Sequence, residues 1–276
     1  MTIQVLIAAM YQKSLGLPQE NGLAAEDGYV LINQTTFGEY PDLQLRNPEA
    51  QQCFLSTEER GTSKSRNMAI ANASADICAV SDDDILYVDN YKELIANAYE
   101  QFPEADIILF DYIDRDTAKN KDSINSLQKK PGRVDLLHAL RSNSCRVTFR
   151  LQSIRQAQHR FREKIGPGTP HITSCEDVLF VVDAIRKGLK VYYAGVPLFV
   201  RVAAPSSWFA GFNEQYFKNV GAFGTELLGR HFWWLHPLQF YLRHKTARKQ
   251  LSLCQALRYG REGKRLFLQY CQENNQ

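Results

Sequence analysis

The feature that most restricts this chain is a set of short apolar runs, nearly unbroken, that alternate with helix-type segments. Ile3–Ala9, Tyr29–Ile32, Ile77–Val80 and the stretch "DIILFDYI" from Asp106 are such runs, and Gln52–Leu55 is a shorter one. A strand with one wet face alternates apolar and polar residues, so a continuous run needs cover on both faces. The intervening segments supply it. Gly61–Ala73 brings Met68, Ile70 and Ala73 toward one side, and Tyr91–Gln101 spaces Leu94, Ile95 and Ala98 for a helix. The pattern predicts an α/β fold with a largely parallel sheet, in which ligands bind at the carboxyl ends of the strands.

Further along, Arg115–Arg133 is polar and rich in Lys, Asn and Asp, and reads as a mobile excursion. "CRVTFRL" is a further strand, Gly166–Ser174 a loop by its Gly and Pro content, and Glu176–Gly188 a helix. That helix has acidic residues at its start and "RKG" at its end, which complement its dipole and terminate it. "KVYYAGVPLFVRV" follows as a strand. From Pro205 the composition turns aromatic and basic, with Trp208, Phe209, Phe212 and later Phe232, Trp233 and Trp234. Between Arg230 and Leu268 the only acidic residue is Glu262. A length of 276 residues suits one large domain with an appended segment. The expected division is a catalytic domain over residues 1–204, with halves at 1–115 and 133–204, and a helical segment over 205–276.

The apolar run at the N-terminus is too short for a signal sequence, and no stretch approaches the ~18–20 apolar residues of a membrane span. The six cysteines lie far apart with no CxxC, as expected of reduced thiols in a cytoplasmic protein. A net charge of +3 identifies no partner, and the basic tail matches no nucleic-acid-binding module. Aromatic and basic residues interleaved in that tail suit peripheral contact with the inner face of a membrane. Helices packed with a solvated basic face are the alternative.

The segment "DICAVSDDDILYVDNY" (Asp76–Tyr91) poses an electrostatic problem. A buried strand climbs into Asp82, Asp83 and Asp84, and like charges side by side repel. A solvated turn tolerates them. A divalent, oxygen-seeking ion such as Mg²⁺ or Mn²⁺ would also answer, bound through one or two carboxylates and substrate phosphates.

The whole stretch "STEERGTSKSRNMAIANASADICAVSDDDILYVDNY" resembles the core of family 2 glycosyltransferases with the GT-A fold, a Rossmann-like sheet flanked by helices. Gly61, Arg66–Asn67, Ala75–Asp76, the aspartate run, Ile85 and Asp89 fill that family's order. A second block, "GPGTPHITSCEDVLFVVDAIRKGLKVYYAGVP", is similar to the family's glycine loop, Glu-Asp helix start and following strand. The wording of the first block looks most like the branch that builds bacterial capsule, lipopolysaccharide or exopolysaccharide.

The resemblance implies inverting transfer of a sugar from a nucleotide diphosphate, a UDP-sugar first, to a saccharide or lipid-linked saccharide acceptor. It implies a catalytic base at Asp177, with Glu176 assisting it or binding the acceptor; His171, close to this pair in sequence, is a candidate contact to acceptor or metal, with an ordinary loop histidine as the alternative. Ala8, Tyr11, Gln12, Asn33, Gln34, Lys64, Arg66 and Asp82 would contact the donor, and Asp83 and Asp84 would hold Mn²⁺ or Mg²⁺. The register of the aspartates stays open, because Ser81 stands where the family's first Asp lies. The front end departs further. "AAMYQ" and "NQTTFGE" replace "P.YN" and "DDGS.D", so an amide stands where a carboxylate would meet the base. That departure keeps a second function in play, a degenerate, non-catalytic subunit or scaffold of a polysaccharide-synthesis complex. Nucleotidyltransfer would need a Gly-rich basic loop after the first strand, and "AAMYQKSLG" has none. An aspartyl phosphatase would carry its acidic motif on the first strand, not after a later one.

Overall fold

The computed structural model describes residues 1–116, 121–202 and 211–274. They divide into two compact units, one within Met1–Phe161 and Asp177–Ala203, the other within Arg162–Glu176 and Ala204–Gln276. The loop ahead of the Glu-Asp pair thus belongs with the C-terminal helices. Trp208 and Phe209 lie outside the described residues.

The strands are β1 (Ile3–Met10), β2 (Gly28–Gln34), β3 (Gln44–Asn47), β4 (Gln52–Thr57), β5 (Ile77–Asp82) and β6 (Ile85–Tyr87). They continue with β7 (Ile107–Asp116), β8 (Lys121–Asn125), β9 (Gly132–Arg133), β10 (Val147–Arg150) and β11 (Val191–Val202). The helices are α1 (Leu17–Glu20), α2 (Thr62–Asn72), α3 (Tyr91–Gln101), α4 (Leu136–Ala139), α5 (Leu151–Gln156) and α6 (Glu176–Arg186). The C-terminal helices are α7 (Glu214–Phe232), α8 (Leu235–Arg243), α9 (Lys245–Gln250) and α10 (Leu253–Asn274).

All the strands join one sheet in the order β3-β4-β2-β1-β5-β10-β7-β11-β6, with β8 on β7 and β9 on β11. The pairs β4–β2, β2–β1, β1–β5 and β7–β11 are parallel. Strand β10 runs antiparallel to β5 and to β7 and so joins the two parallel blocks. The architecture is the mostly parallel α/β sheet expected from the apolar runs.

Those runs are apolar because each strand feeds two cores. Leu6, Val30, Ile32, Val80 and Phe149 pack with Ala69 of α2, Ile154 of α5 and Phe180 of α6. Val5, Ile7, Leu31 and Ala79 point the other way and pack with Tyr91, Ile95 and Tyr99 of α3. The one polar break in the first run has its own reason. Gln4 is buried, accepts from the Ser74 and Ala75 amides at 2.6 and 2.9 Å, and donates to the Gln51 carbonyl at 2.6 Å.

In the polar stretch Arg115–Arg133, of which 117–120 lie outside the described residues, the described part departs from the mobile excursion expected of it. Strand β7 extends to Asp116 and pairs antiparallel with β8, with Ile113 opposite Ile124. Arg146, 1% exposed, pins this hairpin by donating to the Asn125 carbonyl at 2.8 Å and to Asp111, itself 2% exposed, at 3.1 Å. Asp111 also accepts from Tyr193 at 2.7 Å and from the Leu127 amide at 3.1 Å. A polar sequence folds here because a buried ion pair replaces the missing apolar contacts.

In the second unit, α7 and α10 cross where only glycine fits. A Cβ on Gly221 would lie 2.0 Å from the Gly260 carbonyl oxygen, and one on Gly263 would lie 1.8 Å from that of Lys218. Asn213 caps α7 by accepting from the Tyr216 amide at 2.9 Å. Among the described residues no helix is long and apolar enough to cross a membrane.

Removing one partner of the Asp111–Arg146 pair leaves a buried charge uncompensated, at a cost of about 3–5 kcal/mol. Asp111→Ala is therefore expected to lower unfolding free energy by that amount in urea titrations. The double variant Asp111→Leu with Arg146→Met should be more stable than either single change.

Candidate functional site

The parallel arrangement carries the ends of β1, β2, β4 and β5 to one edge of the sheet. Met10 is level with Gln34, Gln34 with Thr57, and Ala8 of β1 with both Ile32 and Asp82. Beyond β1 the chain turns at Tyr11, which has φ of 56°, and the Tyr11 amide donates to the Gln34 carbonyl at 2.9 Å. The turn sends the Tyr11 ring outward, 41% exposed, against Tyr40 at 4.9 Å. Arg60 lies over the Tyr11 ring at 5.1 Å and Lys13 over the Tyr40 ring at 5.9 Å. An aromatic pair with two cations is therefore presented at the strand ends.

The two amides expected to meet a nucleobase are engaged inside the protein. Asn33 is fully buried, accepts from the Gln12 amide at 2.9 Å and donates to Ser56 at 3.2 Å. The Gln34 side chain accepts from the Gly61 amide at 2.9 Å. Gly61 has φ of 117°, a backbone conformation favouring glycine, and stands at the N-terminus of α2. Asn33 thus fixes the loop after β1, and Gln34 fixes the entry to α2. The Gln12 side chain donates to the Met10 carbonyl at 3.0 Å.

Arg66 of α2 organises the acidic end of β5. It is 4% exposed and donates through Nη2 to Asp82 at 2.7 Å and to Ser144 at 2.8 Å. Its guanidinium also lies 5.4 Å from the Phe161 ring centroid. Asp82 receives Cys145 Sγ as well, at 3.2 Å. Ser144, Cys145 and Phe161 went unnoticed in the sequence because their partners are 62–95 residues away and no local spacing marks them. Lys64, two residues before Arg66 and expected to share its role, leaves from another face of α2 and pairs with Glu59 at 2.6 Å.

Asp83 and Asp84 leave the strand and remain exposed. Surrounding protein nonetheless withholds water from them, and this, followed by the Asp82 charge, pushes both carboxyls above the usual carboxylate range. The Arg201 charge opposes the rise at Asp84, and Arg201 itself pairs with Asp114 at 2.6 Å. The Met10 amide approaches Asp83 at 3.4 Å.

Asp177 of α6 joins this group. Burial is the leading cause that pushes its carboxyl up; the Arg66 charge acts the other way and the Asp82 charge adds to the rise. Its Oδ1 accepts from the Val178 amide at 2.7 Å. One guanidinium thus influences two carboxylates, Asp82 and Asp177, brought together from β5 and α6. Cys175, just before this helix, has φ of 81°, a rare conformation for a residue with a side chain.

Glu176 and His171 belong to the second unit. Glu176 is buried beside Gly166, where a Cβ would sit 2.9 Å from the Glu176 Cγ. His171 is exposed, and its carbonyl accepts from Gln215 at 2.8 Å. Among the described residues no set of three or more His, Cys, Asp or Glu side chains is arranged to hold a metal ion.

No protein-family model matches the chain, and a search of curated proteins finds no match. Solved structures do match. S. aureus TarS 1–349 in complex with UDP-GlcNAc aligns with a TM-score of 0.59 at 15% identity, over 96% of this chain and 88% of that one. The same fragment with UDP gives 0.58 at 14% identity, over 89% and 73%. A longer TarS structure gives 0.56 at 15% identity over 83% of this chain, which spans 40% of its length. Without ligand, the 1–349 fragment is spanned to 66%. At such identity the likeness shows a shared fold: a large, mostly parallel sheet flanked by helices, as in the TarS glycosyltransferase structures.

The raised Asp177 carboxyl has a consequence for stability. A carboxyl whose folded pKa lies above its unfolded value binds more protons when folded, so stability falls as pH rises through that interval. Asparagine keeps the acceptor for the Val178 amide and removes the charge. Asp177→Asn is expected to unfold at higher urea than the parent chain near pH 7–8. The difference should vanish below the ordinary carboxylate range, which urea titrations at several pH values would measure.

Proposed function

We propose that this protein is an inverting glycosyltransferase that uses a nucleotide-diphosphate sugar, with UDP-GlcNAc the first donor to try. The observation that carries the reading is the convergence of Asp82 and Asp177 on Arg66 at the carboxyl edge of a parallel sheet. The fold shared with UDP- and UDP-GlcNAc-bound TarS supports it, as do the two sequence blocks similar to family 2 glycosyltransferases. The acceptor would be a saccharide or lipid-linked saccharide in the synthesis of a bacterial surface polysaccharide such as capsule or lipopolysaccharide.

In this reading Asp177 takes the proton of the acceptor hydroxyl as its oxygen bonds to the anomeric carbon. The anomeric carbon–phosphate oxygen bond breaks on the opposite face, and the electron pair leaves with the nucleoside diphosphate. Burial raises the Asp177 carboxyl and makes it a stronger base than a solvated aspartate, and the Arg66 charge limits that rise. Tyr11 and Tyr40 offer a stacking face for the base, with Arg60 and Lys13 beside it. Asp83 and Asp84, exposed and mutually repelling, fit a hard divalent ion, and Asp82 is occupied by Arg66. Such an ion, Mn²⁺ or Mg²⁺, would neutralise the diphosphate.

Purified protein given UDP-GlcNAc and Mn²⁺ should release UDP, and a chelator or the double variant Asp83→Ala, Asp84→Ala should abolish release. Asp177→Asn should keep UDP binding within a few-fold while turnover falls by about 10²–10⁴. If no nucleotide sugar in a panel is cleaved or raises the melting temperature, the catalytic reading fails and a non-catalytic subunit remains. Full turnover in Asp177→Asn would place the base elsewhere.

A further inference from the structure

The second unit carries a surface that the transfer chemistry does not use. Helix α7 breaks at Gly229, where φ is 77° and ψ 172°, and the chain turns into α8 through Trp233 and Trp234. The two tryptophans divide the work. Trp233 is buried, and Gly260 of α10 approaches its ring so closely that a Cβ there would lie 2.9 Å away. Trp234 faces water instead, 41% exposed, between Phe232 at 60% and Leu235 at 40%. Leu242, two turns along α8 from Leu235, is 56% exposed, and Leu228 before the break is 41% exposed. Five large apolar side chains therefore stand in solvent around one corner, where scattered single ones would be ordinary.

The charge around this corner has one sign. From Leu227 to Arg261 the sequence contains no Asp or Glu, while Arg230, Arg243, Lys245, Arg248 and Lys249 are all exposed. The acids that flank the stretch are engaged in ion pairs: Glu226 pairs with Arg162 at 3.1 Å, and Glu262 shares Lys218 with Glu214 at 3.0 and 2.7 Å. Arg248 donates to the Leu242 carbonyl, which brings the α9 cations back to the end of α8. Lys264 of α10 lies 5.7 Å from the Trp233 ring centroid and extends the basic surface past the corner.

From this arrangement we propose that the α7–α8 corner docks on an anionic phospholipid surface. Phe232, Trp234, Leu235 and Leu242 enter the headgroup boundary and the surrounding Arg and Lys side chains meet lipid phosphates. Amphipathic aromatic and leucine side chains gain from that boundary, and each nearby cation adds attraction to an anionic leaflet. A second copy of the chain is a poorer occupant. A two-fold contact sets the same patch against itself, so Arg230, Arg243 and Lys245 of both copies would face one another with no acid between them.

Sedimentation with vesicles tests this. The protein should pellet with vesicles of phosphatidylglycerol and phosphatidylcholine but not with phosphatidylcholine alone, and added salt should release it. Phe232→Ser with Trp234→Ser, and separately Arg243→Glu with Lys245→Glu, should each weaken binding by about tenfold or more. These side chains are exposed, so both variants should keep the parent melting curve, read by circular dichroism. Failure to pellet with anionic vesicles, or equal pelleting of the variants, overturns the proposal. So does a dimer in analytical ultracentrifugation that the Phe232/Trp234 variant dissociates, since the patch would then be a self-association face.

Discussion

The pairing of Arg66 with Asp82 is the interaction around which the candidate site is arranged. An arginine that is 4% exposed needs a carboxylate, because a buried lone charge is costly. Asp82 supplies it from the last position of β5, so the pair ties α2 to the end of a central strand. Ser144 and Cys145, just before β10, close around the same two groups. The pairing also decides what the neighbours do. With Asp82 occupied, Asp83 and Asp84 are the carboxylates turned to solvent, with the Met10 amide beside the first and the Arg201 charge acting on the second. Asp177 sits in the field of the same guanidinium, which opposes the upward push that burial gives its carboxyl.

The strand ends around this pair show how a departure in sequence is absorbed by structure. The carboxylates that the family resemblance places after β2 are replaced by Asn33 and Gln34, and both amides bind backbone. Asn33 holds the loop after β1 and Gln34 holds Gly61 at the head of α2. An amide suits this better than a carboxylate, since it both donates and accepts in a place that water does not reach. The outward role at this edge passes to Tyr11, turned by its left-handed backbone, and to Tyr40 and Arg60 beside it. The C-terminal unit follows a different logic. Glycines let α7 and α10 approach backbone to backbone, and the break at Gly229 turns one tryptophan into the packing and the next into solvent.

By itself, the sequence determined the layered α/β architecture, because period and burial leave little choice. Leu6 feeds one core while Val5 and Ile7 feed the other, and runs apolar at nearly every position call for a sheet covered on both faces. It also singled out Arg66, the aspartate run and Asp177, through local motifs similar to those of family 2 glycosyltransferases. Tertiary structure alone decided the rest, because the deciding contacts join residues far apart in the chain. The pairing of β7 with β8 was not legible until Arg146 and Asp111 were seen to bury a charge pair beside it. The contacts that Asn33 makes with the Gln12 amide and Ser56, and Gln34 with the Gly61 amide, were likewise invisible in the sequence. The choice among the three aspartates also lay outside the local sequence. Which carboxylate an arginine on another element can reach is a matter of packing, and packing gave Asp82 to Arg66.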